Sequence, residues 1–283
     1  MEKAESYIKQ ADKKYNSRSF FGSKTNDWEE ASDLYSKAAN IYKMSKKYDE
    51  AGKAFIKAGE CHLKLHDKYN AANNYINAAN SFKKVNISET IKLLKLAVEL
   101  FADDGKLSQV ARYTKEIASI YEEEKDMEEA ITFYQKAIDY YESENDIRTT
   151  NHCLLKVADY WALNAKSEQA IELYERIINT SLNNTMKWFV KDYILKCCLC
   201  HLVTGDYVGV RKTIDKYSEL YPSFTSQREY KLLLNILTCC ENNNLTDFTN
   251  ELQEYDEIQK LDLWMISILT KIKSLFFDFD QTL

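Results

Sequence analysis

DWEEASDLYSKAANIYK, residues 27–43, sets Trp28, Ala31, Leu34, Tyr35, Ala38 and Tyr42 at spacings of three and four. That spacing lines one face of an α-helix and no face of a strand. The face alternates small residues with large aromatic ones, the composition that lets neighbouring helices approach closely.

The same text recurs along the chain. Residues 47–63 read KYDEAGKAFIKAGECHL, residues 68–84 KYNAANNYINAANSFKK, and residues 126–142 DMEEAITFYQKAIDYYE. Each opens on an aromatic residue or Met, has Ala three residues on, and then a large residue followed by another small one. The register persists: Ala31, Ala51, Ala71, Ile91, Ala111, Ala130, Thr150 and Ala170 fall about twenty residues apart. Twenty residues make one helix and a tight turn, so forty make a helical hairpin. Stacked hairpins share a continuous core, which is the logic of the tetratricopeptide repeat with somewhat longer helices.

Composition supports an all-α fold. The 283 residues hold six Gly and one Pro, where an average chain of this length would hold about 20 and 14. Hairpin sheets and phosphate-cradling loops draw on those residues. Breaks fall at SKKYD, HDKYN, KVNISET, DDGKLS, EEEKDMEE, SENDIRTT, LNAKSEQ, NTSLNNT and VTGDY. Past Pro222 the texture changes, and KLLLNILTCC and LDLWMISILTKIKSLFF are more apolar. The spacing predicts about fourteen helices, with a hairpin array over residues 1–221 and a compact helical bundle over residues 222–283.

No apolar run reaches the roughly 18 residues that span a bilayer, and the polar start MEKAESYIKQADKKY is not a secretory signal. Seven cysteines, an odd number, suit a reducing cytosol better than a disulfide framework. With 38 basic against 44 acidic residues the net charge is −6, which disfavours nucleic acid as the main partner.

Catalytic and metal chemistry find little support. In KCCLCH, residues 196–201, a helix puts Cys197, Cys200 and His201 on one face and Cys198 elsewhere, so four ligands do not converge. Cys61-His62 and His152-Cys153 are sequence neighbours whose side chains diverge on a helix. The tail LFFDFDQTL resembles the Asp-x-Asp-x-Thr nucleophile motif of haloacid-dehalogenase-type phosphatases. That motif needs a strand in a parallel sheet and a long downstream chain. No enzyme and no cofactor are expected.

NSRSFFGSKTND poses a separate question, because Phe20 and Phe21 stand in a polar run that follows no burying period. The wider sequence supplies an answer. SFF (19–21), AANIYKM (38–44), AGKAFIKAGECHLKL (51–65), CLLKVADY (153–160), VKDYILKCCLCH (190–201), KYSELYPSF (216–224) and EYDEIQKLDLWMISILTKIK (254–273) resemble the soluble attachment proteins of the α/β-SNAP type. These adaptors bring the N-ethylmaleimide-sensitive AAA ATPase, NSF, to SNARE complexes.

The resemblance implies a twisted array of helical hairpins followed by a C-terminal bundle. It implies a cytoplasmic protein, monomeric alone, that coats the four-helix SNARE complex (syntaxin-type and others) in several copies and sits peripherally on trafficking membranes. Its membrane contact would be Phe20 and Phe21, flanked by Arg18 and Lys24, in a loop shorter than the family's usual Gly-rich one. Its SNARE-facing residues would be Lys106, Arg112, His152 (where the family usually has lysine), Lys156 and Lys191. Its ATPase contact would be Glu241, Asp278, Asp280 and Leu283, a thinner acidic set than usual, with Phe276, Phe277 and Phe279 interleaved.

Two other expectations compete. A tetratricopeptide-like scaffold or co-chaperone would capture short peptides, but its clamp of Lys, Asn and Arg cannot be assembled here. A divergent SNAP would bind SNAREs and stimulate the ATPase weakly.

Overall fold

A computed structural model describes residues 2–17, 24–184 and 187–277. Phe20, Phe21, Asp278, Asp280 and Leu283 lie outside the described residues. The described chain holds fourteen α-helices: α1 (Glu2–Tyr15), α2 (Lys24–Met44), α3 (Tyr48–Lys64), α4 (Lys68–Phe82), α5 (Ile87–Asp103), α6 (Leu107–Glu123), α7 (Met127–Ser143), α8 (Ile147–Leu163), α9 (Ser167–Leu182), α10 (Val190–Val203), α11 (Tyr207–Leu220), α12 (Arg228–Glu241), α13 (Leu245–Ile258) and α14 (Leu263–Phe277). Short 3₁₀ turns at Lys187–Phe189 and Pro222–Ser226 precede α10 and α12. The expected count and fold class are met.

The chain parts into two compact units, Met1–Asn145 and Asp146–Leu283. In the first, α1 to α7 pack as consecutive neighbours, each helix against the next. In the second, α10 is the hub, touching α9, α11, α12 and α14, while α14 also packs on α8. Pro222, where the sequence changes texture, lies inside this second unit.

The repeat register is the core. Ala31, Ala51, Ala71, Ala111, Ala130 and Ala170 are fully buried, and Ile91 and Thr150 nearly so. One turn on, Tyr35, Phe55, Tyr75, Tyr134 and Tyr174 fill the space between helices. A buried phenol requires a partner, and three are met in the same way. Tyr35 Oη donates to Asp12 Oδ1, Tyr134 Oη to Glu122 Oε2 and Tyr174 Oη to Asp159 Oδ1, each at 2.6 Å.

The turns explain the rhythm. Eight connections among the described residues are three residues long, and the middle residue is left-handed: Lys46, His66, Gly105, Lys125, Asn145, Ala165, Gly205 and Asn243, with φ between 52° and 74°. In the three-residue turns closing α2, α3, α5, α6, α8, α10 and α12, the next residue's N–H donates to the carbonyl five positions back at 2.8 or 2.9 Å, as in Lys47 to Tyr42 and Asp206 to His201. This ties off the preceding helix. That same residue is the N-cap of the next helix, and Asp67, Asp126, Asp146, Asp206 and Asn244 each accept the N–H three positions on. With helices of 17 residues at α3, α5, α6, α7 and α8, the period is twenty. The α4–α5 connection, Lys83–Asn86, is one residue longer and has no left-handed residue.

Candidate functional site

The first unit carries two of the expected SNARE-facing residues, both on α6. Lys106 is the residue before its first turn. Its Nζ stands 3.9 Å from Asp104 Oδ2 and 5.9 Å from the centre of the Tyr69 ring. Arg112, exposed, lies with its guanidinium 5.3 Å from the ring of Tyr113. Tyr113 stacks in turn on the buried Phe101 at 5.8 Å. A buried aromatic pair thus fixes the base from which Arg112 projects.

The second unit carries the other three. His152 and Lys156 are four residues apart on α8 and share a face, His152 exposed and Lys156 half-buried. Lys191 differs. Its Nζ donates to Glu229 Oε1 at 2.7 Å, and the Glu229 side chain is almost wholly buried. Burial alone would lower the Lys191 pKa, but the hydrogen bond and charge of Glu229 outweigh it and the net shift is upward. Much of the Lys191 charge is therefore directed inward.

Residues that sequence reasoning missed hold this unit together. Asp159 of α8 accepts Tyr174 Oη at 2.6 Å, and both its carboxylate oxygens accept Lys196 Nζ, at 2.7 and 2.8 Å. Trp264 Nε1 of α14 donates to the Asp159 carbonyl at 3.0 Å, and Lys196 Nζ lies 4.4 Å from the Trp264 ring centre. One acidic residue thus pins α9, α10 and α14 onto α8. The signal was present as Asp between Ala and Tyr in CLLKVADY, but its partners lie up to 105 residues away.

At the far end of the chain, Glu241 closes α12. Both its oxygens accept Arg211 Nη2, at 2.5 and 2.6 Å, so its charge is already partnered. Phe276 packs on Tyr207 with ring centres 5.5 Å apart, and Phe277 on Phe248 at 5.1 Å. These two rings pack against the unit's own core. Phe279 lies outside the described residues.

The suggestive cysteines are interior. Cys197, Cys198 and Cys200 are buried in α10, and burial pushes the Cys200 thiol up to about 12. His201 Nδ1 faces Asp206 Oδ2 at 3.0 Å, fixing the start of α11. No helix among the described residues is long and apolar enough to cross a membrane.

Comparison with known proteins gives these features a setting. The crystal structure of a signal-transduction ATPase with a tetratricopeptide repeat sensor from Pyrococcus horikoshii superposes with a TM-score of 0.54 at 16% identity, covering 96% of this chain and 44% of that one. That likeness shows the fold alone. The alpha-soluble NSF attachment protein of Vitis vinifera is 36% identical over 274 residues, 96% of this chain and 94% of that protein. The namesake from Dictyostelium discoideum is 43% identical over 190 residues, 67% of this chain and 65% of that protein. The human one is 38% identical over 195 residues, 68% of this chain and 66% of that protein. The matches to these last two relatives thus span just under two thirds of their length. The family pattern described as "Soluble NSF attachment protein, SNAP" matches residues 2–276. The chain belongs to the soluble NSF attachment protein family.

Proposed function

We propose that this protein is an adaptor that binds assembled SNARE complexes and recruits and stimulates the NSF ATPase, which then drives their disassembly in vesicle traffic. The observation that carries the reading is the family match over residues 2–276 on a tetratricopeptide-like array of helical hairpins. The protein works by binding, without chemistry of its own, in the cytoplasm and on the surface of trafficking membranes.

In this reading residues 1–221 supply the SNARE-facing array and residues 222–283 the bundle offered to the ATPase. Lys106, Arg112, His152 and Lys156 meet acidic surface on the four-helix complex through salt-sensitive complementarity. Lys191 adds to that field mainly by holding α10 on α12. Phe20 and Phe21 touch the membrane, contributing a few kcal/mol that biases the encounter without anchoring it. Leu283, with Asp278, Asp280 and Glu241, meets the ATPase.

The test is a pull-down in which the purified chain bridges a preassembled SNARE bundle to NSF, with ATP-driven disassembly followed in the same tubes. Bridging and disassembly are expected, weakened by salt and by Arg112→Glu or Lys156→Glu. Deleting residues 278–283, which spares the packed Phe276 and Phe277, should abolish disassembly while leaving SNARE binding intact. Failure to bind the folded bundle, or a preference for short extended peptides, would overturn the adaptor reading.

A further inference from the structure

The second unit contains a cavity of about 370 Å³, and Lys106, Arg112, His152, Lys156, Lys191 and Glu241 are not among the residues that line it. Its walls come from Leu155 of α8, Phe189 in the turn before α10, Tyr193 of α10, and Tyr255 and Met265 of α13 and α14. The charged groups in that wall are not equivalent. Lys196 is held by Asp159, and Lys260 Nζ donates to Asp256 Oδ2 at 2.6 Å, so both cations are already matched. Asp192 and Asp262 remain. Asp262 Oδ1 accepts the Met265 N–H at 2.7 Å, which starts α14, and has no cationic partner among the described residues. The Asp192 carboxylate makes no hydrogen bond with any described residue.

A second observation points the same way. Tyr255, which lines the cavity, is nine-tenths buried, and its hydroxyl lies near the Glu229 carboxylate without a well-formed hydrogen bond. Burial raises this phenol above its ordinary value, with the carboxylates of Glu229 and Asp192 nearby adding to the effect. Desolvation likewise lifts the Asp192 carboxyl, and Glu229 and Asp262 oppose its ionisation while Lys191 and Lys196 favour it. The site is thus apolar and aromatic along its walls, with one carboxylate that has no cationic partner, a second that two lysines offset only in part, and a buried hydroxyl without a well-formed hydrogen bond.

From this chemistry we infer that the cavity receives the side chain of a lysine or arginine carried by a partner protein. The hydrocarbon stem would lie against Leu155 and Met265, and the cationic head would meet Asp192 and Asp262. The rings of Phe189 and Tyr193 supply faces on which a guanidinium or ammonium is favoured. Phe189 is 60% exposed, so the entrance is open to solvent. The cavity's chemistry stands whether or not the adaptor reading holds.

Methionine ε-methyl NMR of the full chain gives a local reading, because Met265 lines the cavity while Met44 and Met127 belong to the first unit. N-acetyl-arginine methylamide is titrated in, with the citrulline analogue as its neutral counterpart. The arginine probe should move the Met265 signal with half-saturation on the order of millimolar, and the citrulline probe should leave it in place. Asp192→Asn should weaken the response about tenfold. Asp262→Asn, which keeps an N-capping side chain at the start of α14, should weaken it too. An equal shift with citrulline, an equal shift at all the methionines, or an unchanged titration in both variants would overturn the assignment.

Discussion

Lys191 and Glu229 join α10 to α12 through a 2.7 Å ion pair in which the carboxylate is the buried member. The second oxygen of Glu229 has no well-formed hydrogen bond, with the Tyr255 hydroxyl near the carboxylate, and Lys191 is its ion-pair partner. Breaking such a pair from one side leaves an uncompensated interior charge. Lys191→Met should therefore destabilise by about 3 kcal/mol, whereas the double replacement with Glu229→Leu should recover most of that loss. Urea unfolding of the two variants checks it. Loss of SNARE binding in Lys191→Met would then reflect the fold as much as the interface.

Gly52 sits beneath the Phe82 ring, and a Cβ added there would come within 2.3 Å of Phe82 Cε2. Helix propensity alone would favour Ala by about 1 kcal/mol. The ring is buried and has no room to retreat, so the clash wins and Gly52→Ala should cost about 1–3 kcal/mol. Adding Phe82→Leu should return part of the loss. A stabilised Gly52→Ala protein would show that the α3–α4 packing is looser than described.

Left-handed turn positions offer the opposite outcome. Lys125 and Ala165 have φ of 63° and 58° and are exposed. A side chain in that conformation costs roughly 1 kcal/mol that glycine avoids. Lys125→Gly and Ala165→Gly should each raise the unfolding free energy by up to that amount, while Gly205→Ala should lower it by about the same. Denaturant titrations with unchanged slope are the check.

The thiols should be silent in the native protein. All seven cysteines are buried, and burial pushes Cys61, Cys200 and Cys240 each up to about 12. At pH 8 only about one thiol in ten thousand would be ionised at such a site. Alkylation of the folded chain should therefore follow the rate of opening, and labelling should rise in step with unfolding as denaturant is added.

Asp192 predicts the sign of one pH effect. Its folded pKa lies above 3.8, so in the window between those values the folded chain keeps a proton that the unfolded chain has released. Stability contributed by this group accordingly falls as pH rises through the window, and the full penalty applies above it. Asp192→Asn should raise the unfolding temperature at pH 7, with a benefit that shrinks as the pH approaches 4. A variant less stable at pH 7 would contradict this.

Much of the architecture was written in the spacing of Ala31, Ala51 and Ala71 and their aromatic neighbours, because a helix face is a local property of sequence. The turns were legible only as breaks. Lys46, His66 and Ala165 occupy backbone positions where glycine is the usual signal, so nothing in the text announced a left-handed residue. Pairings such as Lys191 with Glu229, 38 residues apart, and Asp159 with Trp264 depend on which helices become neighbours, and spacing along one helix carries no trace of that. Lys106, Arg112, His152 and Lys156 became candidates through resemblance, because a lysine on a solvated helix looks the same whatever it binds.

The three-residue turn also constrains how such a chain can change. Each middle residue closes one helix and the next caps its successor, so there is no slack between them. One residue inserted inside a helix turns every later side chain by about 100°, rolling the alanine stripe out of the core with no loop to absorb the error. The length of the array is in effect quantised, free to vary by whole helices but not by single residues. Between α2 and α8, the longer α4–α5 connection at Lys83–Asn86 is the joint where an extra residue would do least harm.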